Sequence, residues 1–344
     1  MSGLEVFLDE TPGEVRGVIA RDGRFEHLLI QRHDDVLEHR LGARSVGRVA
    51  EVHPGLKGAF VDLGTVAAGF LPFRGQDRLA GGQKVEVEVT AEPREGKGPT
   101  LRLIGAGEGA PRLLSPGPTV AETLARLAPG VAPVAGLAAI RAGREAEEEA
   151  ARPGERFPDT GLDLRVERTR ALIAVDLDLA PGPGVSFGAQ ARTRANRQGL
   201  YEAARLIRLK RWGGLTAIDL IGAGQDGDVV VAAAKQAFGG DPEVVFGPVN
   251  RFGVLQLALP WRRTPLEEVL NGPDGRRRPE QRAQDIVRSL RAGLLSNTGA
   301  PRISLRCAPG DAAHAAPWVA ELGPRAHLIA DPAIAPGAFT CEEG

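Results

Sequence analysis

The chain has 344 residues, of which 42% are hydrophobic, 25% charged and only 4% aromatic, with a formal net charge of −1. This composition predicts two or three domains whose cores are built from Leu, Val, Ile and Ala. A charge so near zero excludes bulk basicity as a source of affinity for polyanions, so any cationic surface has to be local. No apolar run approaches the ~20 residues of a membrane span.

The acidic start, MSGLEVFLDE, lacks a signal-peptide pattern, so a cytoplasmic protein is expected. Residues 1–35 read as strand segments (LEVFLDE, EVRGVIARDG, FEHLLIQRH), forming a hairpin or small sheet. Over 36–104 short strands alternate with Gly and Pro turns: VGRVAEVHPG, GAFVDLG, GFLPF, KVEVEVTAEP and PTLRLI. That density of turn-punctuated strands predicts a small antiparallel barrel. Phe60 and Phe70 fall on strands and Lys97 in a loop. A lone phenylalanine is usually core, but two aromatics with a basic loop match what an OB-fold uses to stack bases and hold a backbone.

Residues 105–160 are rich in Gly, Ala and Pro, with one charged helical run, GREAEEEAARPGER, and read as a linker with short helices. The pattern tightens over 161–262. A hairpin, GLDLRVERTRALIAVDLD, leads into a first apolar strand carrying Asp176 and Asp178, and LTAIDLI carries Asp219. Asp176 and Asp178 are two apart and share one face. With a helix between the two strands the unit is β-α-β, and Asp176 and Asp219 lie toward the carboxyl ends of parallel strands, where open α/β sheets build sites.

In that helix Leu200, Ala203, Ala204 and Ile207 form a packing stripe, while Arg197, Tyr201, Arg205, Arg208 and Trp212 read as a second, cationic face. Seven basic residues stand against one acid, Glu202, over 192–211. Alone this is a solvated helix face. Between two carboxylate strands it suggests metal ligands beside a surface for a phosphate backbone.

A helix over 228–238 and the hairpin EVVFGPVNRFGVLQLAL follow. Residues 263–344 predict a small αβ domain: a helix over 279–296, then strand ISLRC, helix DAAHAAPWVAEL and strand HLIAD. Cys307 and Cys341 fit neither a disulfide framework nor a Cys-x-x-Cys zinc site. PGPG at 181–184 lacks a phosphate-loop fingerprint and reads as a turn.

Four blocks in order, GRVAEVHPGLKGAFVDLGTVAAGFLPF, GQKVEVEVTAEPREGKGPTL, GLDLRVERTRALIAVDLD and NRQGLYEAARLIRLKRWGGLTAIDLI, resemble the ribonuclease E/G family. The first two are similar to its S1-type RNA-binding barrel and the last two to its catalytic domain. The resemblance implies an α/β multi-domain protein with an OB-fold barrel and an α/β nuclease core on a mixed sheet. It implies an Mg²⁺-dependent endoribonuclease, with Mn²⁺ as the alternative ion, acting on single-stranded RNA to leave 5′-phosphate and 3′-hydroxyl ends. The family's metal-binding aspartates fall on Asp176 and Asp219, with Asp178 in place of its usual asparagine, either an auxiliary ligand or a like-charge complication. Its RNA-contacting aromatics and barrel lysine fall on Phe60, Phe70 and Lys97.

The chain departs from the family's pattern at Gly222, where an acid is expected, and at LALPW, which replaces the family's basic motif, with Gln256 before it in place of Glu. The Arg-Thr motif of the 5′-monophosphate sensor is missing from the stretch between barrel and catalytic domain, and so is the zinc-binding Cys-x-x-Cys pair. Neither 5′-end sensing nor zinc is therefore expected, and a homo-oligomer would not be zinc-linked. The competing readings are a non-catalytic RNA-binding protein of the same descent and a metal enzyme acting on a small phosphorylated substrate, which leaves Phe60, Phe70 and Lys97 without a task.

Overall fold

The computed structural model describes residues 3–75, 78–180, 188–222 and 224–343. The PGPG segment at 181–184, expected as a turn, lies outside them. The chain divides into two compact units, Met1–Glu147 with Leu266–Gly344, and Glu148–Pro265. Among the described residues no helix is long and apolar enough to cross a membrane.

The first unit opens with β1 (Leu4–Thr11), β2 (Glu14–Arg21) and β3 (Arg24–Arg32), an antiparallel three-stranded sheet in the order of the chain. Next come β4 (Arg44–His53), β5 (Gly58–Asp62), β6 (Gly69–Pro72), β7 (Lys84–Ala91), β8 (Thr100–Ala106) and β9 (Arg112–Ser115). Pairing runs β5-β6-β8-β7-β4, and β5 also pairs with β4, so five strands close into a barrel with β9 added along β4. Its pairings are antiparallel except β6 with β8. The strict alternation of KVEVEVTA puts Val85, Val87 and Val89 inside, where they meet Ala59, Val61, Leu71 and Leu101.

The stretch read as a linker is more structured than its composition suggests. It holds two helices, α1 (Val120–Leu127) and α2 (Leu137–Ala151), with β9 before them and β10 (Gly154–Phe157) after. Thr119 and Glu122 cap α1 reciprocally. Val120 and Leu124 pack on Val6, Ile19 and Leu29 of the first sheet. Gly17 permits this approach, since a Cβ there would lie 2.5 Å from the Val120 side chain.

The second unit continues from β10 through β11 (Leu162–Arg168), β12 (Ile173–Leu179), α3 (Ala189–Lys210), β13 (Gly214–Asp219), α4 (Gly227–Phe238), β14 (Val245–Val249) and β15 (Val254–Leu259). Its mixed sheet has the order β10-β11-β12-β13-β15-β14, with β12 and β13 parallel as the β-α-β reading requires and the other neighbours antiparallel. Leu164, Val175, Leu177, Ile218 and Leu257 share one buried cluster with Leu200, Ala203 and Ile207 of α3.

The chain then returns to the first unit with α5 (Leu266–Leu270), α6 (Pro279–Ser296), β16 (Ile303–Cys307), α7 (Pro309–Ala320), β17 (Ala326–Ala330) and β18 (Phe339–Glu343). β16 and β17 are parallel, as a terminal βαβ unit demands, and β18 adds an antiparallel partner on the other edge of β16. The segment expected to be a separate small domain belongs to the same compact unit as the N-terminal sheet. A buried charge network joins them. Arg288 of α6 donates to Asp9 at 2.8 Å and to Glu14 at 2.9 Å, and Glu14 also pairs with Arg16 at 2.7 Å and Arg32 at 2.8 Å. Burial of Glu14 opposes its ionisation, yet Arg16, Arg288 and Arg32 outweigh that and hold its carboxyl far below the usual range.

Candidate functional site

Strand β12 alternates cleanly: Ile173, Val175, Leu177 and Leu179 are buried, and Asp176 and Asp178 are exposed. The buried side faces α3, because a Cβ on Gly199 would fall 2.7 Å from the Leu177 side chain. Asp176 and Asp178 therefore lie on the opposite, open face of the sheet. Asp219 is the last residue of β13, exposed, and in register with Asp176 across the parallel pair. Neighbouring strands are roughly 4.8 Å apart, so the two carboxylates are close neighbours.

Two further residues complete this face. Asp163 of β11 is in register with Asp178, and Arg165 with Asp176. Asp163 accepts from Arg156 at 2.7 Å and lies 3.6 Å from Arg165. Asp176, Asp178 and Asp219 have no cationic partner among the described residues. The Asp178 carboxylate accepts from the Leu179 backbone N–H at 2.7 Å. Partial burial raises the Asp176 carboxyl above its ordinary value, and the charges of Asp219, Asp178 and Asp163 raise it further. Among the described residues, no three His, Cys, Asp or Glu side chains gather closely enough to enclose a metal ion.

The segment after Asp219 is held by Asn196, a buried side chain in α3. Its amide donates to Ile221 O at 3.2 Å and its Oδ1 accepts from Ile221 N–H at 2.9 Å. Gly222 then adopts φ +77°, and a Cβ there would meet the Arg192 side chain at 3.0 Å. The position where the family's acid was expected thus disfavours any side chain. Sequence reading missed Asn196 and Asp163. A polar residue on the apolar stripe of α3 is the only trace of the first, and the second needs the β11–β12 register.

The cationic helix face expected over 197–212 is not a single face. Arg205 is completely buried, 2.6 Å from Glu149 and 2.6 Å from Glu202. Lys210 is buried too and donates to the carbonyls of Ala150 and Arg152. Arg208, half-buried, donates to Ala237 O at 3.1 Å. Arg205 and Lys210 therefore brace the helix and offer no surface charge. Arg197 is exposed, as expected, and so is Arg194.

On the barrel, Phe60 and Phe70 are in register on β5 and β6, with ring centroids 5.5 Å apart and a tilt of 58°. Each is half-buried and alternates with core residues, Phe60 with Ala59 and Val61, Phe70 with Gly69 and Leu71. The rings therefore form a pair on the outer wall and are not part of the core. Lys97, 73% exposed, lies 3.6 Å from Glu95. Its loop reaches the ring pair through Pro99, whose carbonyl accepts from Phe70 N–H at 2.8 Å.

No protein-family model matches the chain, and no curated protein matches it.

Proposed function

We propose that this chain is a divalent-metal-dependent endoribonuclease of the ribonuclease E/G type, acting on single-stranded RNA. The observation that carries the reading is the in-register pair Asp176 and Asp219, with Asp178 beside them, on an open sheet face where, among the described residues, none of the three has a cationic partner. Their donor set suits a hard cation, since all the ligand atoms are anionic oxygens; burial first, and then the charges of Asp219, Asp178 and Asp163, raise the Asp176 carboxyl, and a positive ion would offset the charge part. Asp176 and Asp219 would hold Mg²⁺ or Mn²⁺ between them. When bound, such an ion neutralises charge on a scissile phosphate and acidifies an attacking water. Asn196 fixes the backbone after Asp219 and keeps that carboxylate at the rim of the sheet. The barrel is read as an OB-fold in which Phe60 and Phe70 stack bases and Lys97 meets the phosphate backbone.

A second reading, RNA binding without efficient cleavage, is favoured by one feature. Gly222 supplies no third acid, and its backbone disfavours one. Incubating an end-labelled single-stranded RNA with the protein in Mg²⁺ or in EDTA decides between them. Internal cleavage only with Mg²⁺, leaving 5′-phosphates and lost in Asp176→Asn, supports the nuclease. Tight binding without any cleavage supports the second reading.

A further inference from the structure

Arg194 and Arg197 stand on the helical side of the second unit, beside a groove of about 610 Å³ between α3, α4 and the β10–β11 turn. Arg194, Arg197, Gln198 and Tyr201 recur at helical spacing and present one face of α3 to it. Across the groove, Ala233 and Ala237 of α4 contribute only methyl groups, which leaves the depression open, and Arg208 fixes that wall by its bond to Ala237 O. Gln236 adds an amide from α4. At the third side Thr160 Oγ1 and Gln198 Oε1 are 2.6 Å apart, which orients the Gln198 amide and turns its N–H₂ group into an available donor.

The charges here differ from those elsewhere on the helix. Neither Arg194 nor Arg197 has a carboxylate within salt-bridge distance among the described residues, whereas Arg205 is consumed by Glu149 and Glu202. Two exposed guanidiniums without a counter-charge call for an anion, and their planar forks suit phosphate. Tyr201, 41% exposed, offers a ring for stacking, and the two glutamine amides can meet the polar edge of a base. Asp159 is the single acid at the rim and an acceptor for ribose hydroxyls.

The groove also has a defined place relative to Asp176 and Asp219. Leu162, the first residue of β11, is in register with Leu179, the last of β12, so the β10–β11 turn stands at the carboxyl end of β12. Groove and aspartates thus lie at the same end of the sheet on opposite faces. From this we infer that the groove is a nucleotide subsite, taking one phosphate, ribose and base of an RNA strand that continues over the sheet rim. Its ligand class rests on the RNA reading; its geometry does not.

Tyr201 is the only tyrosine in the chain, so ring resonances of tyrosine-labelled protein report on this groove alone. Adenosine 5′-monophosphate should shift them saturably, inorganic phosphate and adenosine more weakly. R194A/R197A should weaken the nucleotide at least tenfold, and Ala233→Leu, which fills the groove without changing charge, should do the same. Val66→Ala, at a fully exposed position between β5 and β6, should leave it unchanged. No saturable shift in the wild type, or wild-type affinity in both R194A/R197A and Ala233→Leu, overturns the inference. Nucleotide binding here without RNA cleavage removes the nuclease reading and keeps the groove, whereas cleavage with an unmoved Tyr201 removes the groove alone.

Discussion

Asp176 and Asp219 face each other in the parallel register of β12 and β13, on the sheet side away from α3. Parallel register places two carboxylates from distant parts of the chain side by side, with no cationic partner for either among the described residues, an arrangement that costs stability unless a cation occupies it. That tension has consequences for both activity and folding.

Asp176→Asn and Asp219→Asn should each abolish Mg²⁺-dependent cleavage while leaving RNA affinity within a few-fold, as measured by gel assay and filter binding. Asp178→Asn should keep activity, because that carboxylate already accepts a backbone N–H. Wild-type turnover in either of the first two variants would remove the metal assignment.

The raised carboxyl of Asp176 means that the folded chain holds this proton more tightly than the unfolded chain does. Stability is therefore lost as pH rises through the ordinary carboxylate value toward the raised one, and the loss is complete above it. In EDTA at neutral pH, Asp176→Asn should accordingly be the more stable protein. The gain should vanish in acid and shrink when Mg²⁺ is added. Thermal melts across pH test this, and an Asp176→Asn protein less stable than wild type in EDTA would contradict it.

Phe60→Ala and Phe70→Ala should weaken single-stranded RNA binding by roughly 1–3 kcal/mol each while the barrel stays folded, because both rings lie outside its core. Lys97→Ala should weaken binding irrespective of sequence and flatten its salt dependence. Circular dichroism alongside the titrations separates these effects, since an unfolded Phe60→Ala protein would mean that the ring is structural.

Arg205→Ala should act on stability and not on RNA contact. It leaves Glu202 and Glu149 without their buried partner, a change that costs about 3–5 kcal/mol. Urea unfolding should report that loss, and a folded Arg205→Ala protein of normal stability with weakened RNA binding would contradict the burial.

Glu14→Gln should destabilise the first unit by a similar amount, about 3–5 kcal/mol, because Arg16 and Arg288 would remain buried beside a neutral amide. The Glu14 carboxyl is held far below the usual range, so its contribution is present above the ordinary carboxylate value and is lost as pH falls through the depressed one. The difference in urea midpoint between wild type and Glu14→Gln should therefore stay constant at neutral pH and narrow only in strong acid.

Alternation and spacing carried much of this fold without tertiary help. The period of two in IAVDLDL placed Asp176 and Asp178 on one face, and KVEVEVTA marked a barrel wall, because a strand's side chains alternate whatever it pairs with. The helix starting at Pro279 and the parallel strands around α7 were legible for the same local reason. What the tertiary structure alone decided was which charges face water. Arg205 has the spacing of an exposed residue, yet α3 is covered on more than one side, and Glu149, far away in sequence, supplies the charge that lets its guanidinium be buried. Arg288 with Asp9 follows the same logic, and the register that sets Asp163 beside Asp178 is likewise a tertiary fact. Periodicity reports a residue's own element, whereas burial of a charge and the register of a strand are set by partners that only the folded chain brings together.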